Sequence, residues 1–205
     1  NVEVIDLSQG IQLIKNNEAE HEEESEEEHA HLEGEYDPHY WLNPENAIKM
    51  IETITHSVVL KMPEHQQYFE DNAQNLIEEI QALDQSYVEA FEKTQSKTIL
   101  SGGHFAFSYF VEHYGLQHKS PYEGFSPNAE PTAQNISSLL KTIKTMKTKA
   151  IFYEELIDPK VATIISEEAD VKMLLLHGAH NVSKEELESG MTYVDIMKGN
   201  LERLK

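Results

Sequence analysis

The chain has 205 residues, with 16 lysines and arginines against 37 acidic residues, which gives a formal net charge of −21. A chain this acidic repels phosphate backbones, so nucleic acid is excluded as a partner. No stretch approaches the roughly 18 consecutive apolar residues that a membrane-spanning helix requires, so the apolar runs predict a core or an interface. The absence of cysteine excludes disulfides, thiolate catalysis and zinc sites built on cysteine.

The first 62 residues predict part of a lobe. Val2 to Leu7 favour a strand, and Asn1 opens the chain with neither Met nor an apolar signal segment. Residues 18–37 then hold eleven of the 37 acidic residues and no lysine or arginine. Such a like-charged block predicts a loop, whose three histidines could bind transition metals weakly. We expect the rest of this first lobe to lie upstream of the chain.

Two helices are predicted next. Asn43 can cap the first, which has Pro44 at its opening position and apolar residues along one face. Pro63 ends that pattern, and the stretch from Glu64 to about Lys93 predicts a second helix about 45 Å long. A helix of this length over residues 63–96 could join two lobes.

From about residue 97 to the end, short apolar strands alternate with helical patterns. Strands are predicted at Thr98–Leu100, 116–119, Ala150–Tyr153 and 171–176, with helices at 105–114, from Pro131, and around Ile164. This alternation favours a parallel sheet, with ligands beyond the carboxyl ends of its strands. The predicted fold is therefore α/β: a partial first lobe (1–62), a long linking helix (63–96) and a second lobe (97–205).

Three histidines lie where this architecture would place ligands. His39 is held between two prolines beside the single tryptophan, His104 follows Ser101-Gly102-Gly103 at a strand end, and His180 follows the last predicted strand. His104 is expected to open a helix. Each could instead be an ordinary loop, helix-start or turn histidine. Imidazoles from separate loops fit a tetrahedral zinc site, although no short-range ligand pair such as HExxH is present.

Further polar side chains are expected at the same edge of the sheet. Glu154 and Glu155 follow the strand that ends at Tyr153, and His177 precedes His180 by three residues. A carboxylate near a metal site commonly fixes the tautomer of a ligating imidazole. We therefore expect these three residues to support the ligands, while His177 stays open as an alternative ligand to His180.

Five segments carry a resemblance to a known family. They are DPHYWLNP (37–44), SGGHFAFSYFVEHYGL (101–116), NAEPTAQNISSLL (128–140), FYEEL (152–156) and LHGAHNVSKEELESGMTYVDIMKGNL (176–201). Together they resemble the zinc-binding substrate-binding proteins of ABC importers, the ZnuA and AdcA group within a cluster that also contains manganese-binding lipoproteins. The resemblance covers almost the whole chain and includes an acidic, histidine-containing loop just upstream of the DPHxW motif.

The resemblance implies two α/β lobes joined by a long rigid helix, with one Zn²⁺ held between them and passed to a membrane permease. It implies an extracytoplasmic location, at the cell membrane through a lipid anchor or in the periplasm. One ligand histidine would come from an early part of the first lobe that this chain lacks, and two others match His39 and His104. The fourth position is usually acidic in the family, and its match here is His180.

Two competing interpretations remain at this point. In a zinc hydrolase, three histidines would leave an open position for a water molecule, with Glu154 or Glu155 as the general base. In a manganese receptor of the same fold, oxygen ligands would replace imidazoles, because hard oxygen donors suit Mn²⁺ better. The histidines favour a zinc receptor that is not an enzyme.

Overall fold

The computed structural model describes residues 3–15, 36–122 and 131–205. Most of the acidic segment predicted as a loop lies outside these ranges. The strand predicted over residues 2–7 is wrong for the part that is described, because residues 3–7 form no strand. Val4 is 89% exposed and Ile5 41% exposed, so neither side chain has a sheet to pack on. An isolated bridge joins Lys15 to Tyr36 instead.

Most of the predicted helices are confirmed. Asn43 caps α1 by accepting the backbone N–H of Glu45 at 2.9 Å, and Pro44 follows it. The α-helices in the described ranges are α1 (Pro44–Lys61), α2 (Gln66–Lys93), α3 (Ser108–His113), α4 (Ala133–Met146), α5 (Lys160–Ala169), α6 (Lys184–Glu188) and α7 (Tyr193–Leu204). Single 3₁₀ turns precede α1 and α2, at Tyr40–Leu42 and Pro63–His65.

Four short strands form two parallel pairs. The strands are β1 (Thr98–Leu100), β2 (Gln117–Lys119), β3 (Ala150–Tyr153) and β4 (Lys172–Leu175). β1 pairs with β2, and β3 pairs with β4. A parallel bridge between Ser101 and Phe152 connects the two pairs, which gives the spatial order β2-β1-β3-β4. The predicted α/β class and its parallel strands are confirmed.

Helices cover both faces of this sheet. Along β1, Ile99 belongs to one apolar cluster and Leu100 to the other, and Phe152 and Ile151 divide in the same way along β3. Successive strand residues point to opposite faces, so both faces are buried. α4 and α5 pack on the Leu100 face, whereas α2, α3 and α7 share the cluster on the Ile99 face.

The long helix α2 packs against the second lobe through its second half. The helix has 28 residues and spans about 42 Å, and its buried side chains all lie in that half. The Tyr87 hydroxyl donates to the carbonyl of Met197 on α7 at 2.6 Å. Burial raises the pKa of Tyr87 above its usual range, so this phenol remains a hydrogen-bond donor. No helix in the described ranges is long and apolar enough to cross a membrane.

Candidate metal centre

The carboxyl ends of the strands gather the predicted site residues. His104 follows β1, Glu154 and Glu155 follow β3, and His177 and His180 follow β4. Because parallel strands end at one edge of a sheet, these side chains converge there. The loop before α1 brings His39 to the same place, with its ring centroid 5.4 Å from that of His104 and 6.1 Å from that of His180.

A buried aspartate orients His39. One oxygen of the Asp37 carboxylate accepts both the backbone N–H of His39 at 2.9 Å and its ring Nδ1–H at 2.7 Å. Asp37 is fully buried and His39 is 8% exposed. A carboxylate only accepts hydrogen bonds, so the proton lies on Nδ1 and the Nε2 lone pair is available to a metal. This role of Asp37, two residues before His39, was not predicted from the sequence.

Hydrogen bonds to distant parts of the chain fix the loop that carries His39. The hydroxyl of Tyr109 on α3 donates to the carbonyl of Asp37 at 2.8 Å. The indole N–H of Trp41 donates to the carbonyl of Gly178 at 2.9 Å, and the hydroxyl of Tyr193 donates to the carbonyl of Trp41 at 2.9 Å. The DPHYW segment is thereby attached to the loop after β4 and to α7.

His104 is held by the carboxylate of Glu154. Its ring Nδ1 lies 3.1 Å from both oxygens of Glu154, and both side chains are buried. This contact again leaves Nε2 as the nitrogen that would face a metal. The expectation that His104 opens a helix is wrong, because α3 begins only at Ser108.

The glycine pair before His104 allows a close approach of α5. A Cβ atom on Gly102 would lie 2.5 Å from the Cα of Ala162, a distance that packed side chains do not tolerate. The backbone N–H of Gly102 also donates to the carbonyl of Phe152 at 2.9 Å, so this residue continues the pairing of β1 with β3. The sheet and α5 therefore set the position from which His104 projects.

His177 and His180 have different surroundings. His180 is the more exposed, with 31% of its side chain accessible, and its Nδ1 lies 3.3 Å from Oε1 of Glu155. His177 is buried, and its Nδ1 accepts the backbone N–H of Ala179 at 3.0 Å. Its Nε2 lies 3.6 Å from the carboxylate of Glu186, whose pKa is lowered mainly by hydrogen bonding to Ser183.

The backbone of His177 is also fixed. The side-chain oxygen of Asn200 accepts its N–H at 2.9 Å, and the side-chain nitrogen of Asn200 donates to its carbonyl at 2.8 Å. Asn200 is fully buried on α7 and is not among the site residues predicted from the sequence. Both nitrogens of the His177 ring therefore face protein groups, whereas the ring of His180 lies near His39.

The ring spacing can be compared with that of a zinc site. Two imidazoles bound to one tetrahedral zinc, with Zn–N bonds of about 2.0–2.1 Å, have ring centroids about 5 Å apart. The His39–His104 separation of 5.4 Å is close to this value, and the His39–His180 separation of 6.1 Å is longer. In the described ranges no three His, Cys, Asp or Glu side chains form a ready-made metal-binding group. Binding would thus require movement of rings, most readily that of the part-exposed His180.

Comparison with known proteins decides the family. The family described as zinc-uptake complex component A, periplasmic (ZnuA), matches residues 1–205. The chain belongs to this ZnuA family. The resemblance stated from the sequence motifs is confirmed.

Two curated relatives illustrate the relationship. The chain is 37% identical over 201 residues to the high-affinity zinc uptake system protein ZnuA of Bacillus subtilis, covering 98% of the chain and 62% of that protein. It is 36% identical over 187 residues to the zinc-binding lipoprotein AdcA of Streptococcus pneumoniae, covering 89% of the chain and 37% of that protein. The chain therefore spans less than two thirds of the length of either relative.

Solved structures of similar proteins share the fold. The metal-dependent lipoprotein YcdH of B. subtilis superposes with a TM-score of 0.77 at 33% identity, covering 98% of this chain and 68% of that one. The Zn(II)-bound ZnuA-like domain of S. pneumoniae AdcA gives a TM-score of 0.69 at 35% identity, covering 86% and 66%.

Proposed function

We propose that the protein is an extracytoplasmic receptor that binds one Zn²⁺ through His39, His104 and His180 and delivers it to the permease of an ABC transporter. The observation that carries the proposal is that these imidazoles converge and that the Nδ1 atom of each lies near a buried carboxylate. Asp37 contacts His39, Glu154 contacts His104 and Glu155 faces His180. Such pairs orient Nε2 toward a metal and strengthen it as a donor.

The names of the relatives and the description of the family support the same cargo and location. They describe zinc uptake, zinc binding, a lipoprotein and a periplasmic component. We infer that this chain contributes a partial first lobe (residues 1–62), a linking helix (63–96) and a second lobe (97–205) to such a receptor. A lipid anchor and an upstream fourth ligand are further parts of the proposal.

The surroundings of the glutamates argue against the hydrolase alternative. A general base must reach the water that it deprotonates. Both oxygens of Glu154 lie against the ring of His104, and Glu155 accepts the backbone N–H of Gly178 at 2.8 Å while its other oxygen faces His180. These carboxylates are arranged to hold ligands. Imidazole donors likewise favour zinc over manganese.

Zinc uptake by cells that lack the gene tests the proposal. We expect the wild-type full-length protein to restore uptake of radioactive zinc from zinc-limited medium, and the variant His39→Ala to fail at equal expression. The variant His56→Ala is the matched control, because His56 is exposed on α1, away from the site. Equal restoration by His39→Ala and by the control would contradict the proposal.

A further inference from the structure

Glu155 is a buried carboxylate with one satisfied oxygen. Its Oε2 accepts the backbone N–H of Gly178 at 2.8 Å. Its Oε1 is also buried and accepts no hydrogen bond of good geometry from the described residues. Two imidazole nitrogens lie close to this oxygen, Nδ1 of His180 at 3.3 Å and Nδ1 of His177 at 3.5 Å. A buried carboxylate oxygen needs a donor, so one of these rings should supply the proton.

The hydrogen bond made by Ala179 shows which of the two rings can donate to Oε1 of Glu155. The backbone N–H of Ala179 points at Nδ1 of His177, so this nitrogen is an acceptor and carries no proton. His177 therefore cannot donate to Glu155. His180 can, by carrying its proton on Nδ1, and this tautomer leaves the lone pair on Nε2. The geometry thus separates the two histidines that the sequence left as alternatives.

We propose that Glu155 is a positioning residue that acts through His180 and sets the preference of the site for zinc. This inference rests on the proposed function. By accepting Nδ1–H, Glu155 makes Nε2 of His180 a stronger donor to the metal. The negative charge of Glu155 then lies behind the imidazole ring and does not contact the metal itself. The hard carboxylate oxygens stay behind the ring, so the metal meets imidazole nitrogen, which suits Zn²⁺ better than Mn²⁺.

Gly178 permits this arrangement. A Cβ atom at this position would lie 2.9 Å from Nδ1 of His180 and 3.4 Å from Oε1 of Glu155, in contact with both groups. The first of these distances is shorter than packed atoms allow, so the ring of His180 would have to move away. Gly178→Ala should therefore displace the ring of His180 from the carboxylate of Glu155 without changing any charge.

A double-mutant cycle tests the proposal on the full-length protein, with zinc affinity measured by competition against a chelator. We expect Glu155→Gln to weaken zinc binding about 10- to 100-fold, the usual cost of losing a partner that orients a ligand. In the His180→Ala background the same change should cost less than about threefold, because the residue through which Glu155 acts is gone. Gly178→Ala should weaken zinc binding more than manganese binding.

A charge control and a tautomer measurement separate this role from a structural one. Glu168→Gln removes the same charge from an exposed position on α5 and should keep zinc affinity within about threefold of wild type. Long-range ¹⁵N NMR of the zinc-loaded protein should show His180 protonated at Nδ1 and metal-bound at Nε2, with this tautomer lost in Glu155→Gln.

The outcomes distinguish this inference from the proposed function. If the wild type binds zinc tightly and Glu155→Gln behaves like Glu168→Gln, the proposed role of Glu155 is refuted. The proposed zinc-receptor function is not affected by that result. An equal loss in the wild-type and His180→Ala backgrounds would also refute the role of Glu155, because Glu155 would not be acting through His180. A wild-type protein that binds no zinc would overturn both.

Discussion

Replacing His104 by alanine should weaken zinc binding by more than about 100-fold, which exceeds the usual cost of losing an outer partner of a ligand. The change opens the metal shell to water and leaves Glu154 buried without its imidazole. His39→Ala should have an effect of similar size, because Asp37 would lose its partner in the same way. Competition titration against a zinc chelator measures both.

The control for these titrations is a histidine away from the site. His113 on α3 pairs with Asp84 at 3.0 Å, and His113→Ala should leave zinc affinity within about threefold of wild type. Unchanged affinity in both His39→Ala and His104→Ala would remove these residues from the metal centre. Such a result would mean that His39 is an ordinary loop histidine and His104 an ordinary turn histidine.

Phe110→Ala should lower the free energy of unfolding by about 3–5 kcal/mol, the usual cost of truncating a buried phenylalanine. Phe110 is fully buried on α3, at the centre of the aromatic cluster that joins α2 to the sheet. Its ring centroid lies 4.7–6.0 Å from those of four neighbours, Tyr87, Phe91, Phe107 and Tyr114. The loss combines buried apolar area, edge-to-face ring contacts and a residual cavity.

Urea denaturation of the two proteins measures this loss. Tyr68→Ala is the control, because Tyr68 lies 66% exposed in the first half of α2 and its removal should change stability by about 0.5 kcal/mol or less. If Phe110→Ala were no more destabilising than Tyr68→Ala, the aromatic cluster would not be the core of the second lobe.

The sequence predicts most of the second lobe because its signals are local. The strand Ala150–Tyr153 is a run of four apolar residues between polar ones, and the structure places β3 there. Asn43 and Pro44 mark the start of α1 in the same way. The C-terminal helices were missed, although capping boxes at Ser183 and Thr192 mark where α6 and α7 begin.

The failures of prediction have a common cause in long-range contacts. Val2 to Leu7 have strand-forming residues, yet a strand needs a neighbouring edge, and residues 3–7 pair with none in the described ranges. His104 lies outside a helix because Gly102 continues the sheet and the backbone turns only afterwards into α3. The sequence pattern alone cannot reveal that residues 3–7 have no strand to pair with in the described part of the chain, or that the sheet continues to Gly102.

In the candidate site, too, local sequence signals give the positions of residues, whereas long-range contacts decide how their side chains pair. Local sequence signals left each of His39, His104 and His180 open to an ordinary structural role. Their choice as one ligand set rests on the resemblance to the ZnuA and AdcA group, and it stays a prediction. Which carboxylate faces which imidazole was not predictable, since Glu154 is 50 residues from His104 and the choice depends on side-chain direction at the sheet edge. The distinction between His177 and His180 likewise depends on one backbone N–H, that of Ala179.

X-ray absorption at the zinc edge of the full-length protein, loaded with one equivalent of zinc, shows which atoms surround the metal. We predict one zinc per chain in a four-coordinate shell dominated by imidazole nitrogens at about 2.0–2.1 Å. His180→Ala should reduce the imidazole count by one. A shell of five or six oxygen ligands with no imidazole signal, or zinc bound in less than stoichiometric amount, would rule out a histidine site for zinc.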